Sequence, residues 1–293
     1  MSSTTTQTQT QSNTSAFPLK SSTLLIEAEL NFYIPPEDGS APYNYVETPP
    51  EGVPRTNIRF ETRQVPLHDM RGRESDFNID THAFLPVLAT PETQTSQADF
   101  SSDESVKETY YPEIEQLLLT KLPGTPNKVI IFDHTIRRQA PGSKREPVLR
   151  THIDQTTASA IERVRLHAAP DEVEKILESR VRLVNVWRPL NGPVESSPLA
   201  VADSSTVEAS QLVGVQHRYP TRTGETAAVR HSESTKWWYW SGMRNDERLF
   251  LQCYDSKTES RVPHSAFKLP GEGQEGWTGK PRESIEVRAL VFG

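Results

Sequence analysis

The sequence predicts a mostly β protein, an antiparallel sandwich or barrel with a few flanking α-helices. Three observations support this fold class. The last third of the chain consists of short segments with extended patterning, separated by Gly, Pro, Asn and Asp. Helical periodicity is confined to the middle of the chain, between strand patterns. The 293 residues are enough to bury a sizeable core in one domain.

The N-terminal segment, residues 1–20, consists mainly of Ser, Thr and Gln. It cannot bury enough surface to offset the entropy of ordering, so we expect a disordered tail followed by a single domain over residues 21–293. The segment also lacks the cationic start and the apolar core of a secretory signal. A single cysteine, Cys253, excludes an internal disulfide and a cysteine-based zinc cluster. We therefore expect a cytoplasmic protein.

The first half of the chain contains strand patterns and one clear helix. Apolar residues alternate with glutamates from Ser22 towards Tyr33, which predicts a first strand that ends at the following prolines. Helical spacing of apolar residues after a Ser/Asp-rich cap predicts the helix. The other expected elements of this half are a strand over 57–64, ordered loops at best over 66–105, a helix over 106–119 and a buried strand over 128–133.

The second half is expected to contain two helices and then a series of strands. The helices are predicted over 156–166 and 171–178, the latter with acidic residues in its first turn after Pro170. A strand carrying His152 and Asp154 precedes them. The later strands are predicted at residues 182–187, 199–203, 217–219, 236–241, 248–254, 262–266 and 284–292.

The charge balance and hydropathy exclude two classes of partner. With 32 basic and 39 acidic residues, the chain has a formal charge of -7 and lacks the excess of basic residues that favours nucleic-acid binding. No apolar run approaches the roughly 20 residues that span a bilayer. We therefore expect neither nucleic-acid nor membrane binding.

The stretch around His152 carries the first chemical signal. In an extended strand, side chains two residues apart lie on the same face, so His152 and Asp154 would present an imidazole and a carboxylate side by side. This pair suits Fe(II), Mn(II) or Zn(II), and a third ligand would complete a facial triad with open positions. His264, which follows a proline that favours extended geometry, is the candidate for that third ligand.

The terminal strand carries the second signal. By alternation, Arg282, Ser284, Glu286 and Arg288 share one face, and apolar residues form the other. A basic inner face requires an anionic partner when it is buried. A guanidinium with a hydroxyl two residues further on can clamp a small carboxylate.

These residues resemble the iron and cosubstrate site of the Fe(II)/2-oxoglutarate-dependent dioxygenases. More narrowly, the chain is similar to the family that joins fungal gibberellin GA4 desaturase, the cephalosporin methoxylase component CmcJ and the meroterpenoid endoperoxidase NvfI. The segments that carry the resemblance lie in family order at residues 132–137, 152–155, 185–190, 198–203, 238–243, 253–256, 263–267 and 282–288.

The resemblance implies a double-stranded β-helix, the jelly-roll or cupin-like fold. It implies Fe(II) held by His152, Asp154 and His264, with O2 as oxidant and 2-oxoglutarate paired to an arginine. By position Arg282 matches that arginine, with Ser284 beside it, and Arg288 is the second candidate. It also implies hydroxylation, desaturation or oxidative cyclisation of a small natural product in fungal secondary metabolism, by a monomer or homodimer.

Three further residues are weaker candidates for the site. Arg150 lies two residues before His152, so it is placed to touch 2-oxoglutarate or substrate, or else to form a surface ion pair. Asn185 and Trp187 share a strand face and are candidates for the pocket wall, against the alternative of a core tryptophan beside a satisfied amide. Cys253 is interpreted as a buried small hydrophobe. The histidines at 134, 167, 217 and 231 have no partner at ligand spacing and are interpreted as ordinary polar residues.

Two other function classes compete with an oxygenase. A cupin-type metal-dependent isomerase or lyase would use the same metal site but would leave the basic face of the last strand unexplained. A non-catalytic binding module would not need an intact triad. The sequence contains no glycine-rich strand-to-helix loop for S-adenosylmethionine, which disfavours a methyltransferase.

Overall fold

The computed structural model describes residues 25–88, 100–139, 143 and 145–293. Within these ranges two β-sheets pack face to face, and short helices lie around them. The predicted disordered tail, residues 1–20, lies outside the described residues, as does the polar run at 93–97. In the part of the chain that is described, no helix is long and apolar enough to cross a membrane.

The larger sheet has nine strands in the order β1-β3-β11-β8-β13-β6-β10-β9-β2. Its neighbours are antiparallel except for the pairs β3–β11 and β2–β9. Its strands in chain order are Leu25–Ile34 (β1), Tyr43–Tyr45 (β2), Arg59–Asp69 (β3), His152–Ile153 (β6), Leu199–Ala202 (β8), Leu212–Arg218 (β9), Thr223–Val229 (β10), Trp237–Tyr239 (β11) and His264–Ala266 (β13).

The smaller sheet has five antiparallel strands in the order β4-β12-β7-β14-β5. These strands are Phe84–Val87 (β4), Lys128–Arg138 (β5), Val181–Pro189 (β7), Arg248–Asp255 (β12) and Glu283–Phe292 (β14). The helices are Ile79–His82 (α1), Asp103–Ser105 (α2), Tyr111–Lys121 (α3), Thr157–His167 (α4) and Val173–Glu178 (α5), with a π-turn at Val106–Tyr110 before α3.

The core lies between the two sheets, and side chains from both sheets fill it. Trp187 and Leu249 of the smaller sheet pack with Val201 and Trp238 of the larger one. A second cluster joins the outer face of β14 to helix α3, through Val287 on the strand and other buried residues. This arrangement confirms a mostly β sandwich with flanking helices, and it turns β6 and β13 towards β7 and β14.

Several predicted element boundaries were wrong. The strand predicted over 57–64 continues to Asp69 through Pro66, which is tolerated because β11 pairs with β3 only from Leu67 onward. The loops expected over 66–105 contain α1 and β4. Pro86 fits in β4 because this strand forms an edge of its sheet.

Other corrections concern the length and the burial of the predicted strands. The strand predicted over 128–133 extends to Arg138 and is only half-buried, because β5 is an edge strand. β6 contains only His152–Ile153, so Asp154 follows it in a bend instead of sharing a strand with His152. The sequence analysis missed β10, Thr223–Val229, since its small residues give no alternation of large apolar side chains.

A buried ion cluster ties β7 to β12. The Asp255 side chain is fully buried, and the Arg180 Nε donates to its Oδ1 at 3.0 Å. The Arg182 Nε lies 3.6 Å from Oδ2. Burial raises the pKa of Asp255, but the hydrogen bonds from Arg180, Lys257 and Thr258 together outweigh it and hold this pKa below its usual value. The carboxylate therefore stabilises the fold above about pH 4, and this contribution is lost as the pH falls through the lowered pKa.

Replacing this carboxylate is expected to destabilise the protein strongly. Asp255→Asn removes the buried one of the two carboxylates, Asp80 and Asp255, that pair with Arg180 and Arg182, so the free energy of unfolding should fall by about 3 kcal/mol. Urea denaturation at neutral pH measures the loss. Asp76→Asn is the matched control, because Asp76 pairs with Arg73 at the surface and should cost less than about 1 kcal/mol. Equal losses in the two variants would contradict a structural role for the cluster.

Candidate metal centre

Three residues that are far apart in the chain meet on the inner face of the larger sheet. His152 on β6 lies directly opposite His264 on β13, and their ring centroids are 4.4 Å apart. Asp154 follows β6 immediately. The potential ligand atoms of the three residues all lie within 4.8 Å of one another. The structure therefore brings together the three side chains that the sequence analysis selected as metal ligands.

Backbone carbonyls fix the orientation of both imidazoles. The Nδ1 of His152 lies 2.8 Å from the Arg150 carbonyl oxygen, and the Nδ1 of His264 lies 3.2 Å from that of Val262. Since a carbonyl can only accept, each Nδ1 carries the proton and donates it, which leaves the Nε2 lone pair free. Metal-binding histidines are commonly held by such a second hydrogen bond.

The charge state of the cluster also suits a cation. Burial, and next the neighbouring His264, lower the pKa of His152, so its ring is neutral near pH 7. The free Nε2 of this neutral ring then faces Asp154 Oδ1 at 3.3 Å. Two acceptors at this distance repel each other unless a cation lies between them. Two imidazole nitrogens and one carboxylate form the donor set of a ferrous facial triad, so the residues fit Fe(II).

Asn185 on β7 supports the carboxylate from the opposite sheet. Its Nδ2 donates to Asp154 Oδ2 at 2.7 Å, and its own Oδ1 has no hydrogen-bond partner among the described residues. The Arg288 Nη1 lies 3.8 Å from the same Asp154 oxygen. Asp154 is thereby turned so that its other oxygen faces the histidines. Asn185 acts as a support for a ligand rather than as a wall of the pocket.

A cavity opens on one side of the three candidate ligands. The space between its lining side chains, open solvent included, is about 340 Å³. Beyond the ligands, its lining comes from both sheets and from the segment before β6, namely Arg137, Val148, Trp187, Leu199, Ala266, Arg282 and Glu286. Trp187, a candidate for the pocket wall, lies in this lining, as does Arg282. The metal positions that the protein leaves open would therefore face a small, enclosed space.

Arg282 is a buried cation at this cavity. Its Nη1 donates to the Ser197 carbonyl, and its Nε has no partner in the described part of the chain. The guanidinium carbon lies 5.5 Å from the centroid of the Trp187 ring. Burial, and next the charge of Arg137, lower the pKa of Arg282 to about 9. A guanidinium in this position lacks the carboxylate that normally accompanies a buried arginine.

Arg288 has the opposite environment. Its Nε donates to Asp133 Oδ1 at 2.5 Å, and its Nη1 lies 3.9 Å from Glu286 Oε1. Although burial lowers the pKa of Arg288, the charges of Glu286, Asp154 and Asp133 outweigh burial and raise it. Arg288 does not line the metal cavity. Its charge is already compensated by the protein's own carboxylates.

Two other predicted site residues lie elsewhere. Ser284 is buried on the face of β14 that carries Arg282, but it does not line the metal cavity. Arg150 lines a second cavity, on the far side of His152, and does not line the first. The structure therefore separates Arg150 from Arg282, which the sequence analysis had grouped as cosubstrate-binding residues.

Sequence analysis missed the residues that hold Arg282 in place. The Ser197 backbone N–H and hydroxyl donate to the two carboxylate oxygens of Glu272, at 2.9 Å and 2.8 Å. The Gln139 Nε2 donates to Glu272 at 3.3 Å, and the backbones of Gln139 and Arg282 are joined by a hydrogen bond of 2.9 Å. Glu272 thus connects the two groups that contact Arg282. No local pattern marks it, since it lies in an irregular loop.

Comparisons with known proteins agree with this site. A family profile described as "Oxidoreductase/YMDC permease-like domain" matches residues 30–292. The chain is 36% identical over 290 residues to the hydroxylase/desaturase poxK of Penicillium oxalicum, with 86% of each protein covered. It is 32% identical over 272 residues to the Fe(II)/2-oxoglutarate-dependent dioxygenase nvfI of Aspergillus novofumigatus, covering 91% of this chain and 96% of the relative.

Solved structures show the same likeness. The iron and alpha-ketoglutarate-dependent endoperoxidase NvfI matches with a TM-score of 0.79 at 31% identity, covering 92% of this chain and 98% of that chain. NvfI in a different conformation matches with a TM-score of 0.82 at 31% identity, covering 93% and 99%. The likeness confirms the jelly-roll fold expected from the sequence. The chain therefore belongs to the Fe(II)/2-oxoglutarate-dependent dioxygenase family that contains NvfI and the poxK hydroxylase/desaturase.

Proposed function

We propose that this protein is a non-haem Fe(II)/2-oxoglutarate-dependent oxygenase that removes hydrogen from an unactivated C–H bond of a small natural product. The observation that carries the proposal is the combination, in one cavity, of a metal-ready triad with a buried arginine that forms no ion pair with any described residue. Ferrous iron and 2-oxoglutarate, when bound, supply an oxidant strong enough for such a bond by coupling O2 reduction to decarboxylation. The protein's own side chains bind the iron and the cosubstrate, orient the substrate, and exclude water from the cavity.

His152, Asp154 and His264 are the proposed iron ligands. Asn185 holds the carboxylate, and the two backbone carbonyls hold the imidazoles, so the three donors are fixed before a metal arrives. The donors come from one side, which leaves the cavity side for a chelating keto acid and O2. A preorganised ligand set of this kind spends little free energy on ordering when it binds the ion.

Arg282 is the proposed partner of the distal carboxylate of 2-oxoglutarate. It lines the same cavity as the three ligands, and its Nε is available for a charge-assisted hydrogen bond. A bound carboxylate would compensate a charge whose burial is otherwise costly, and it would restore the pKa of Arg282 towards its usual value. Arg288 is a poor alternative because Asp133 and Glu286 already compensate it.

The biological setting is proposed from the same evidence. The named relatives include fungal hydroxylase/desaturases, which supports a role in secondary metabolism. We propose that residues 21–293 work as one catalytic domain, as a monomer or homodimer in the cytoplasm. The absence of a membrane-spanning helix in the described residues is compatible with that location.

A coupled assay tests the proposed reaction class. The Fe(II)-loaded enzyme, given 2-oxoglutarate and O2 with a panel of terpenoid, polyketide and peptide metabolites, is expected to release succinate and CO2 in equal amounts. A redox-neutral cupin isomerase or lyase would change its substrate without releasing succinate. Conversion of a metabolite in the absence of 2-oxoglutarate and O2 would contradict the proposal.

Glu272 is expected to support 2-oxoglutarate binding through Arg282. Glu272→Gln replaces one acceptor oxygen by a donor that opposes the Ser197 N–H, so the carbonyl that holds Arg282 should shift. We expect the dissociation constant for 2-oxoglutarate to rise about tenfold while Fe(II) binding is retained. Anaerobic titration of the Fe(II)-loaded variant measures both.

Glu275→Gln provides the control for this prediction. Glu275 is exposed in the same loop and makes no hydrogen bond or ion pair with any described residue. This variant should bind 2-oxoglutarate like the unaltered protein. Tighter or unchanged 2-oxoglutarate binding in Glu272→Gln would show that Glu272 does not position Arg282.

A further inference from the structure

A second cavity lies next to the metal site, on the other side of His152. It is shallow, and the space between its lining side chains, open solvent included, is about 260 Å³. Its lining consists of Ile58, Phe60, Arg150, Thr151, His152, Val215, His217, Thr226, Ala227 and Ala228. The iron ligand His152 is shared by the two cavities, whereas Arg282 belongs only to the first. A molecule in the second cavity would therefore contact His152 without occupying the Arg282 site.

The strand register places this cavity on the face of the sheet that carries the metal. His152 lies opposite Ala228, and Thr226 on the same strand lies opposite Val215. Directly paired residues of antiparallel strands project to one face, and residues two apart along a strand share that face. His217 lies two residues after Val215 on β9, so its side chain projects to the same face. The surface from His152 to His217 is therefore one continuous wall that leads away from the metal.

The polar residues of this wall are Arg150, whose side chain has no partner among the described residues, and the hydrogen-bonded pair His217 and Thr226. The Arg150 side chain makes no hydrogen bond or ion pair with any residue that the structure describes, and it is exposed. His217 Nε2 lies 2.9 Å from Thr226 Oγ1, so its Nδ1 remains available. Burial, and next the charge of Arg150, lower the pKa of His217, which keeps the ring neutral. Arg150 and His217 are thus close neighbours with different roles.

The rest of the wall is apolar and partly open. Ile58, Val215 and Ala228 pack together, and Phe60 stands beside them with 39% of its surface exposed. An exposed aromatic at the rim of a cavity supplies apolar contact area for a ligand. The cavity therefore has an apolar wall on one side and a single positive charge on the other.

We propose that this second cavity binds the primary substrate, and that the substrate is an apolar molecule carrying one carboxylate. The inference rests on the proposed function and specifies its substrate class. Arg150 pairs with the carboxylate, His217 and Thr226 offer a hydrogen bond to it, and the carbon skeleton lies along Phe60 towards the His152 ring.

A matched pair of probes tests this inference without knowledge of the natural substrate. Naphthalene-2-carboxylate and naphthalene-2-carboxamide have the same shape and differ in charge. Each is titrated anaerobically into enzyme saturated with Fe(II) and 2-oxoglutarate, so that the Arg282 site is filled, and binding is followed by calorimetry. We expect the carboxylate to bind at least about tenfold more tightly than the amide, and Arg150→Gln to abolish that preference.

Arg165→Gln is the control, because Arg165 is an exposed arginine on α4 that lines neither cavity. It should keep the full preference for the carboxylate. Equal binding of the two probes to the unaltered enzyme would overturn the inference, as would no binding at millimolar concentration or a preference that survives in Arg150→Gln. Failure of the proposed function is distinguishable, because the unaltered enzyme would then fail to bind Fe(II) and 2-oxoglutarate in the first place.

Discussion

His152→Ala and Asp154→Ala are each expected to abolish stoichiometric Fe(II) binding and all 2-oxoglutarate turnover. Each change removes one of only three protein donors, and a two-donor site with several water molecules holds a ferrous ion weakly. Asp154→Ala also removes the negative charge of the donor set, and it leaves the buried Asn185 amide without its acceptor. We expect the affinity for Fe(II) to fall at least about 100-fold, from the loss of one metal–ligand interaction.

Metal content after anaerobic loading and gel filtration measures this prediction directly. His231→Ala is the control, since His231 lies near the exposed Glu233 and belongs to neither cavity. It should retain one equivalent of Fe(II). Melting temperatures of the metal-free variants separate loss of the ligand from loss of the fold. Full metal content and activity in folded His152→Ala protein would refute the assignment of the ligands.

Arg282→Gln is expected to raise the 2-oxoglutarate requirement about 100-fold, because a neutral amide cannot replace a charge-assisted hydrogen bond in a buried site. Arg288→Gln should raise it far less. The reason is that Arg288 already pairs with Asp133 and does not line the metal cavity. Arg288 lies on the inner face of β14 and Arg282 directly precedes this strand, so the two variants form a matched pair in one segment.

The measurement is the Michaelis constant for 2-oxoglutarate in a succinate-release assay, with Fe(II) at saturation. Arg288→Gln should instead lower the free energy of unfolding, because Asp133 and Glu286 then lose the positive charge that they share. The reverse ranking of the two Michaelis constants would assign the cosubstrate to Arg288.

The chemistry of the metal site was predictable from residue types, but its geometry was not. His-x-Asp and a distal histidine identify a donor set, and the selected residues do meet. They meet for a different reason from the one expected. Asp154 lies in a bend after a two-residue strand, and Asn185 turns its carboxylate towards the histidines. Such support comes from another sheet, so no local pattern contains it.

The environments of Arg282 and Arg288 also could not be predicted from the sequence. Alternation correctly placed Arg282 and Arg288 on one face, opposite Val287 and its apolar neighbours. Their different environments depend on Asp133, which is brought to Arg288 by the pairing of β5 with β14. Sequence spacing cannot reveal which buried arginine lacks a carboxylate, because the carboxylates come from distant segments.

The contacts of Glu272 and the cavity position of His217 could not be predicted, for related reasons. His217 has no partner at ligand spacing, and its position in one cavity with His152 arises from the β9–β10–β6 register. Since the sequence analysis did not recognise β10, that register was not available to it. Glu272 lies in a loop whose conformation has no periodic signature, and its role depends on Ser197 and Gln139, both far away in the chain.

The most direct test of the metal centre is an anaerobic titration of the metal-free protein with Fe(II), followed by 2-oxoglutarate. A keto acid that chelates a protein-bound ferrous ion produces a visible metal-to-ligand charge-transfer absorption. We expect one equivalent of Fe(II) to bind and the absorption to appear on addition of 2-oxoglutarate, and we expect neither in His264→Ala. Absence of the absorption in the unaltered protein, or an undiminished absorption in His264→Ala, would contradict a ferrous 2-oxoglutarate site at these three residues.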